Sequence, residues 1–417
     1  MAAVGKVRGR LRSAWMVAGN ALLAFALAVH EGHLYAGTCE PGKDESGHVY
    51  RYSGQQEWID CGAPDRSNSV TSMAVYDGKL YAGTGKYRLA GSALPESENF
   101  TLGGRIYRYD EDGPWVDCGQ LPGAEAVAGL VEYGGRLYAS SLYKPAGFFR
   151  YEGGAQWTDC GVPGGMRVEA MGVDNGHLYA TSYDGGRVYR YDGSSWTDCG
   201  QLGDADVNTQ TYSLAVYQGR LYVGTWRSGR VYRFEGVNRW SDVGRLGEEL
   251  EIMGMLVHNG RLLAGTLPLA EVYSYRGGET WKRLVQLDGT PEVRYRRAWT
   301  MAESSGRVFC STLPSGRTFS YEAGKSVTWD HLFPAGWHHV AAVKSAGRLA
   351  LYVDGHLVAE STEFNPAEYD LNTDQPLYIG FGAYDYFHGR LRDVRLYQRA
   401  LSAVEVRELS VSYYREQ

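Results

Sequence analysis

Proline and cysteine are scarce in this chain: 13 Pro and 6 Cys in 417 residues. Six cysteines without a paired spacing define no disulfide framework. Basic residues show no excess, 42 against 48 acidic ones, so no overall charge draws the chain to nucleic acid. No apolar pattern repeats as multiple membrane spans would; the one long apolar run, Trp15 to Val29, lies near the N-terminus. A GxxxxGK[ST] phosphate loop before a helix, zinc-ligand spacing and a GxSxG elbow are all missing, which weighs against the enzyme classes built on them. Glycine and tyrosine are plentiful, at 55 and 32. Glycine punctuates turns and tyrosine suits half-buried strands, so many short strands joined by tight turns are expected. Hydrophobic residues at 44% and charged residues at 22% give an ordinary globular balance.

Internal repeats organise most of the sequence. One element recurs as Leu34-Tyr-Ala-Gly-Thr, Leu80-Tyr-Ala-Gly-Thr, Leu137-Tyr-Ala-Ser-Ser, Leu178-Tyr-Ala-Thr-Ser, Leu221-Tyr-Val-Gly-Thr, Leu262-Leu-Ala-Gly-Thr and Val308-Phe-Cys-Ser-Thr. An apolar stretch and a Gly turn precede each copy, as in Met73-Ala-Val-Tyr-Asp-Gly. An aromatic segment follows, as in Val49-Tyr-Arg-Tyr and Val188-Tyr-Arg-Tyr. A tryptophan then opens a fourth segment at Trp58, Trp115, Trp157, Trp196, Trp240, Trp281 and, in the seventh unit, Trp329. Four short strands in units of ~40–50 residues make one antiparallel blade. The sequence therefore predicts an all-β chain: a seven-bladed β-propeller over residues 23–332, then a C-terminal partial β-sandwich over 333–417, a jelly-roll half ending in a short helix.

The motif Trp-x-Asp-Cys-Gly occurs at Trp58, Trp115, Trp157 and Trp196, and becomes Trp240-Ser-Asp-Val-Gly in the fifth unit. Replacement of the cysteine by Val243 favours a small buried residue over a metal ligand. Ser274-Tyr-Arg-Gly-Gly-Glu-Thr-Trp281 resembles the Asp-box hairpin of sialidase-like propellers, with Arg276 where that family has Asp. In such propellers the hairpin lies away from the usual active face, so the resemblance implies fold.

After Trp329 the repeat stops. Trp337-His-His-Val-Ala-Ala-Val, Arg348-Leu-Ala-Leu-Tyr-Val-Asp-Gly-His-Leu-Val, Pro376-Leu-Tyr-Ile-Gly, Phe387-His-Gly-Arg-Leu-Arg-Asp-Val-Arg-Leu-Tyr and Leu401-Ser-Ala-Val-Glu-Val-Arg-Glu-Leu follow in order. Asp354-Gly355 reads as a hairpin turn, and Ser402 with Glu405 as a capping box. His338 and His339 are strand neighbours and point to opposite faces. The succession resembles the second half of laminin-G-like, concanavalin-A-like jelly rolls, with roughly five strands where a jelly roll needs about eight. The resemblance implies glycan or protein ligands.

Lys6, Arg8, Arg10 and Arg12 ahead of the apolar run resemble a secretory signal peptide. Cleavage after Ala28 conflicts with the first blade, whose opening strand is Leu27-Ala-Val-His-Glu-Gly. Residues 1–22 are read as a signal- or anchor-like or non-native extension, with residues 1–14 outside the fold. An alternative takes Trp15-Met-Val-Ala-Gly as a remnant outer strand.

One propeller face carries the second-to-third-strand loops and the blade-to-blade loops. Only the second blade has a long loop there, Gly85 to Gly104, and loops of that length are often functional. The candidate ligand-binding residues on this face are Tyr87, Arg88, Tyr143, Lys144, Tyr183, Asp184, Trp226 and Arg227, with Arg66, Arg297 and Trp299 from blade-to-blade segments. Aromatic planes beside arginines and carboxylates suit sugars or acidic ligands. The expected function is a non-catalytic binding protein for glycan or protein ligands, extracellular, periplasmic or at the cell surface. The alternatives are a sialidase-like glycoside hydrolase or lyase on the same face, or a protein-interaction scaffold. No metal, cofactor or nucleic-acid partner is expected, and a membrane is met only through an N-terminal anchor.

Overall fold

The computed structural model describes residues 11–12, 21–54, 57–111, 113–322, 324–331, 333, 335–369, 377–382 and 385–415. The Leu-Tyr-Ala-Gly-Thr segments form strands buried on both faces: in Lys79–Gly85 and Arg261–Leu267 only the first residue is exposed. Such a strand needs a packed layer on each side, and neighbouring blades supply both. Tyr81 of the second blade packs with Leu137, Ala139 and Phe149 of the third. Tyr222 of the fifth packs with Ile252, Leu262 and Tyr273 of the sixth. The motif glycine marks a close approach: a Cβ on Gly83 would lie 2.7 Å from Val127 Cβ of the next blade. The motif threonine hydroxyl closes the following turn, as Thr225, Thr266 and Thr312 donate to the carbonyls of Arg230, Glu271 and Arg317 at 2.9, 2.9 and 3.0 Å.

The result is a ring of seven antiparallel blades. Their innermost strands are Leu23–His30, Ser69–Tyr76, Val127–Tyr133, Val168–Asp174, Gln210–Tyr217, Glu251–His258 and Arg297–Ser304. The Trp-x-Asp-Cys-Gly motif joins the blades at their outer edge. Its Asp accepts from the Gly two residues on, at 2.7 Å for Asp60–Gly62 and 2.8 Å for Asp117–Gly119, and so fixes a turn in which that Gly has positive φ. The turn presents carbonyls to the next blade. Nε1 of Trp115, Trp157, Trp196, Trp240 and Trp281 donates to the carbonyls of Cys61, Cys118, Gly161, Cys199 and Val243 at 2.8–3.0 Å. Trp157→Phe keeps an aromatic ring but removes the indole N–H and its five-membered ring, so it is expected to cost about 1 kcal/mol for the lost bond and more for the lost packing. Urea unfolding will show this as a lower midpoint with an unchanged slope.

The seventh blade contains Arg297–Ser304, Arg307–Leu313 and Thr318–Glu322, and its fourth strand is Leu11–Arg12. Leu11 pairs with Tyr321 and Arg12 with Ser320. Elsewhere the equivalent partner is the tryptophan: Tyr52 with Trp58, Tyr151 with Trp157, Tyr275 with Trp281. Two expectations are thereby corrected. Residues 1–14 are not all outside the fold, because Leu11–Arg12 complete the last blade. Trp329 opens no fourth strand; it packs on His331 and Phe333, with ring centroids 5.5 and 5.0 Å apart. The apolar run also ends inside the propeller, because Leu23–His30 is the first blade's inner strand. The strand expected at Trp15–Gly19 lies outside the described residues.

The C-terminal segment holds a three-stranded antiparallel sheet, Val340–Lys344, Leu349–Val353 and His356–Glu360. Asp354 and Gly355, at φ +50° and +78°, form its expected two-residue turn. Asp354 also accepts from His338 Nδ1 at 2.7 Å and His339 N at 2.9 Å. Helix Ala403–Arg415 starts at the expected capping box, with Ser402 N to Glu405 Oε2 at 2.8 Å and Glu405 N to Ser402 Oγ at 3.3 Å. Among the described residues the remaining expected strands, 376–380 and 387–397, do not form. Among the described residues of 377–397 there is one isolated bridge, Phe381 to Tyr386, and Leu377, Ile379, Leu391 and Leu396 are more than half exposed. Among the described residues no sheet packs over these apolar side chains. This segment lies on the face of the short inner turns: Asp330 accepts from Gly32 N at 3.1 Å, and Asp385 and Tyr386 lie against Gly219.

Candidate ligand site at the channel mouth

All seven inner strands are bulged at one place: between Ala24 and Ala26, Val70 and Ser72, Val127 and Leu130, Val168 and Met171, Thr211 and Leu214, Ile252 and Met255, and Ala298 and Met301. A bulge breaks the period-two alternation and re-aims the side chain within it. The residue nine positions before each motif Leu (Val308 in the seventh blade) falls there: Phe25, Thr71, Ala128, Glu169, Tyr212, Met253 and Trp299. Two positions earlier, toward the loop face, stand Leu23, Ser69, Ala126, Arg167, Gln210, Glu251 and Arg297.

These two tiers converge on the channel. Phe25 meets Trp299 at 4.9 Å between ring centroids, and Tyr212 of the fifth blade lies 6.4 Å from Trp299 of the seventh. Met253, Leu89, Tyr87, Trp226 and Tyr295 join the same apolar cluster. The long second-blade loop turns through a short 3-10 segment, Leu89–Ser92, and places Tyr87 over the mouth, 4.8 Å from Phe25 and 6.0 Å from Trp299.

Charged groups surround this aromatic floor. Arg167 is held by Asp184, with Nε to Oδ2 at 3.0 Å and Nη2 to Oδ1 at 2.6 Å, and it stacks on Tyr183 at 4.7 Å. Arg88 pairs with Glu125 at 2.5 Å and lies 4.3 Å over Tyr143, whose hydroxyl accepts from Arg88 N. Arg297 is only 6% exposed and lies 5.5 Å from the rings of both Tyr295 and Trp299. Its Nε and Nη1 have no hydrogen-bond partner among the described residues, and neither has Oε2 of Glu169. Glu251 is buried and pairs through its backbone with Trp226 across the boundary of blades five and six. Burial pushes the Glu169 carboxyl up to about 8 against the pull of Arg167, and Glu251 up to about 7 against the pull of Arg297. Tyr183 and Tyr212 each feel both carboxyl groups, which places the four in one neighbourhood.

Of the sequence candidates, Tyr87, Tyr183, Trp226, Arg297 and Trp299 meet around the mouth. Arg88 and Tyr143 form a rim pair, and Asp184 is locked to Arg167. Arg66, Lys144 and Arg227 are exposed. No described hydrogen bond or ring contact links Arg66, Arg227 and Arg297. Glu169, Glu251, Tyr212, Phe25 and Met253 escaped the loop-based reading because they sit on strands. Their signal was the columns nine and eleven residues before the repeated leucine, where one charge (Glu169) and three (Arg167, Glu251 and Arg297) interrupt mostly small and apolar residues.

Residues 278–407 match the family model described as Concanavalin A-like lectin/glucanases superfamily, Laminin_G_3. Its first part, to Glu322, is folded here as the outer edge of the sixth blade and the seventh blade. The chain is a seven-bladed propeller joined to a laminin-G-like segment. Virginiamycin B lyase from Staphylococcus aureus is similar over 76% of this chain and 99% of its own, at 9% identity and a TM-score of 0.60. The extracellular domain of a putative hybrid two-component system from B. thetaiotaomicron is similar over 82% of this chain and 44% of its own, at 14% identity and 0.55. YCF48 from Cyanidioschyzon merolae is similar over 75% and 98%, at 12% identity and 0.52, and a further similar structure is YCF48 bound to D1 peptide. At these identities the likeness is one of fold. No curated protein matches the sequence. Among the described residues no helix is long and apolar enough to cross a membrane.

Proposed function

We propose that this protein is a non-catalytic binding protein that takes a carbohydrate at the loop-face mouth of its propeller, outside the cell or at its surface. One observation carries the reading: aromatic rings from blades one, two, five and seven converge where Glu169 and Arg297 keep buried polar atoms without partners. Buried polar groups are ordinarily hydrogen-bonded, so such atoms mark a place for an incoming group or ordered water. A sugar suits both features, with apolar C–H faces for the rings and hydroxyls that donate and accept. Tyr87, Arg88, Tyr143 and Tyr183 then contact the first ring, while Arg66, Lys144 and Arg227 meet the outer parts of a longer chain. The laminin-G-like match and the extracellular neighbour support a surface location. Glycan-array binding by the intact protein is the test. Tyr183→Ala and Trp226→Ala, both half-buried, are each expected to weaken binding about tenfold. An array without any hit, with only proteins captured, would favour an interaction scaffold, a use for which the peptide complex of YCF48 gives precedent.

A second reading rests on the two buried carboxyl groups. Glu169 facing Arg167 and Glu251 facing Arg297, both with raised pKa, are the kind of groups from which a glycoside hydrolase or lyase draws its acid and base. Product analysis of bound oligosaccharides decides between them: new reducing ends that vanish in Glu169→Gln favour catalysis.

A further inference from the structure

Among the described residues, three basic side chains around the mouth are engaged. Arg167 makes two side-chain bonds to Asp184, Arg88 pairs with Glu125, and Lys86 donates to the Ser97 carbonyl at 2.8 Å and faces Glu96 at 3.3 Å. Arg297 lies over the rings of Tyr295 and Trp299, and its Nε and Nη1 have no hydrogen-bond partner among the described residues. Nε belongs to one forked edge of the guanidinium and Nη1 to the other, and both are buried without an acceptor. A buried guanidinium is costly unless its donors are met. No hydrogen bond among the described residues joins it to Glu251. The group that matches a guanidinium edge in plane and spacing is a carboxylate.

Building on the carbohydrate reading, we propose that the ligand is an acidic sugar whose carboxylate is taken by Arg297. Its ring lies against Trp299 and Tyr212, and a hydroxyl pairs with Glu169 Oε2. Burial favours the uncharged forms of Glu169 below about 8 and of Glu251 below about 7, so the charge of Arg297 is mostly uncancelled on the acid side of neutrality. The other ionisable groups facing this pair are Arg167, Asp184, Tyr183, Tyr212 and Tyr87.

The experiment is calorimetric titration of the full chain at pH 6.5. The probes are oligosaccharides of galacturonate, mannuronate and glucuronate, each beside its carboxyl-reduced counterpart. At least one acid is expected to bind tenfold or more tightly than its reduced form, and to weaken as pH rises past about 7. Arg297→Lys is expected to remove that preference while binding of the reduced ligand persists. If this variant does not fold, the paired ligands on the unaltered protein still decide. Equal affinity for acid and reduced forms, or preference for the reduced form, overturns the carboxylate and leaves the carbohydrate reading standing. No binding of any saccharide, here or on the array, overturns both.

Discussion

Replacing Glu169 with glutamine is expected to stabilise the protein at pH 8.5 and to leave it nearly unchanged at pH 4. The carboxyl has an ordinary value of 4.5, and burial raises it to about 8 in the folded chain. Between those values the native state holds a proton that the unfolded state has released, so stability falls as pH rises. Below 4.5 the contribution is fully present; above about 8 it is lost. At ~1.4 kcal/mol per pH unit the whole gap corresponds to at most about 5 kcal/mol. Arg167 offsets part of the penalty, but it is already committed to Asp184, while Glu251 adds to it. Glutamine keeps the shape and removes the ionisation. Urea unfolding of both proteins from pH 4 to 9 is the measurement, with the two curves diverging above pH 5. Parallel curves would mean that Glu169 is already ionised in the folded state, and the acidic-sugar site would lose the uncancelled charge it relies on.

The repeat was legible because its four elements are local. Each strand packs on its neighbour in sequence, so leucine, tyrosine, glycine and tryptophan recur at near-constant spacing. The chemistry of the Trp-x-Asp-Cys-Gly motif was only half legible. Composition favoured a small buried residue at Cys61, Cys118, Cys160 and Cys199, but the acceptor role of that turn toward the next tryptophan needed the blade-to-blade contact. For the proposed site, the loop residues that gather at the mouth, such as Tyr87 and Tyr183, could be picked out from the sequence as loop-face candidates. Glu169 was hidden because a bulge turns a strand residue toward the channel and a period-two reading gives no hint of it, and Glu251 because it stands on a strand and not on a loop. In the C-terminal segment the local turn at Asp354-Gly355 and the cap at Ser402 were legible. The strand patterns at 387–397 were not honoured, since strand formation there depends on a facing sheet rather than on the pattern itself.

The least legible feature, the closing strand, has a large expected effect on stability. Removing residues 1–14 is expected to lower the thermal midpoint by about 5 °C or more. The deletion takes away Leu11–Arg12 and leaves Thr318–Glu322 as an open edge. An unpaired edge exposes backbone donors and acceptors and invites pairing with other chains. The damage falls at the ring's junction, where Phe309 of the last blade packs with Leu34, Tyr52 and Trp58 of the first. Trp58 is also the outer-strand tryptophan whose Nε1 has no acceptor among the described residues, so this seam already has one inter-blade bond fewer to its credit there. Arg12→Pro is the sharper version, since proline has no N–H for the ladder and the chain length is kept. Calorimetry together with limited proteolysis of the seventh blade reads the outcome. A midpoint and a cleavage pattern unchanged by both alterations would show that the ring closes without residues 11–12, and would return this segment to the role of an extension. A lower midpoint with new cleavage near 318–332 makes the same residues incompatible with removal after Ala28, because such a cut takes both the closing strand and most of the first blade's inner strand.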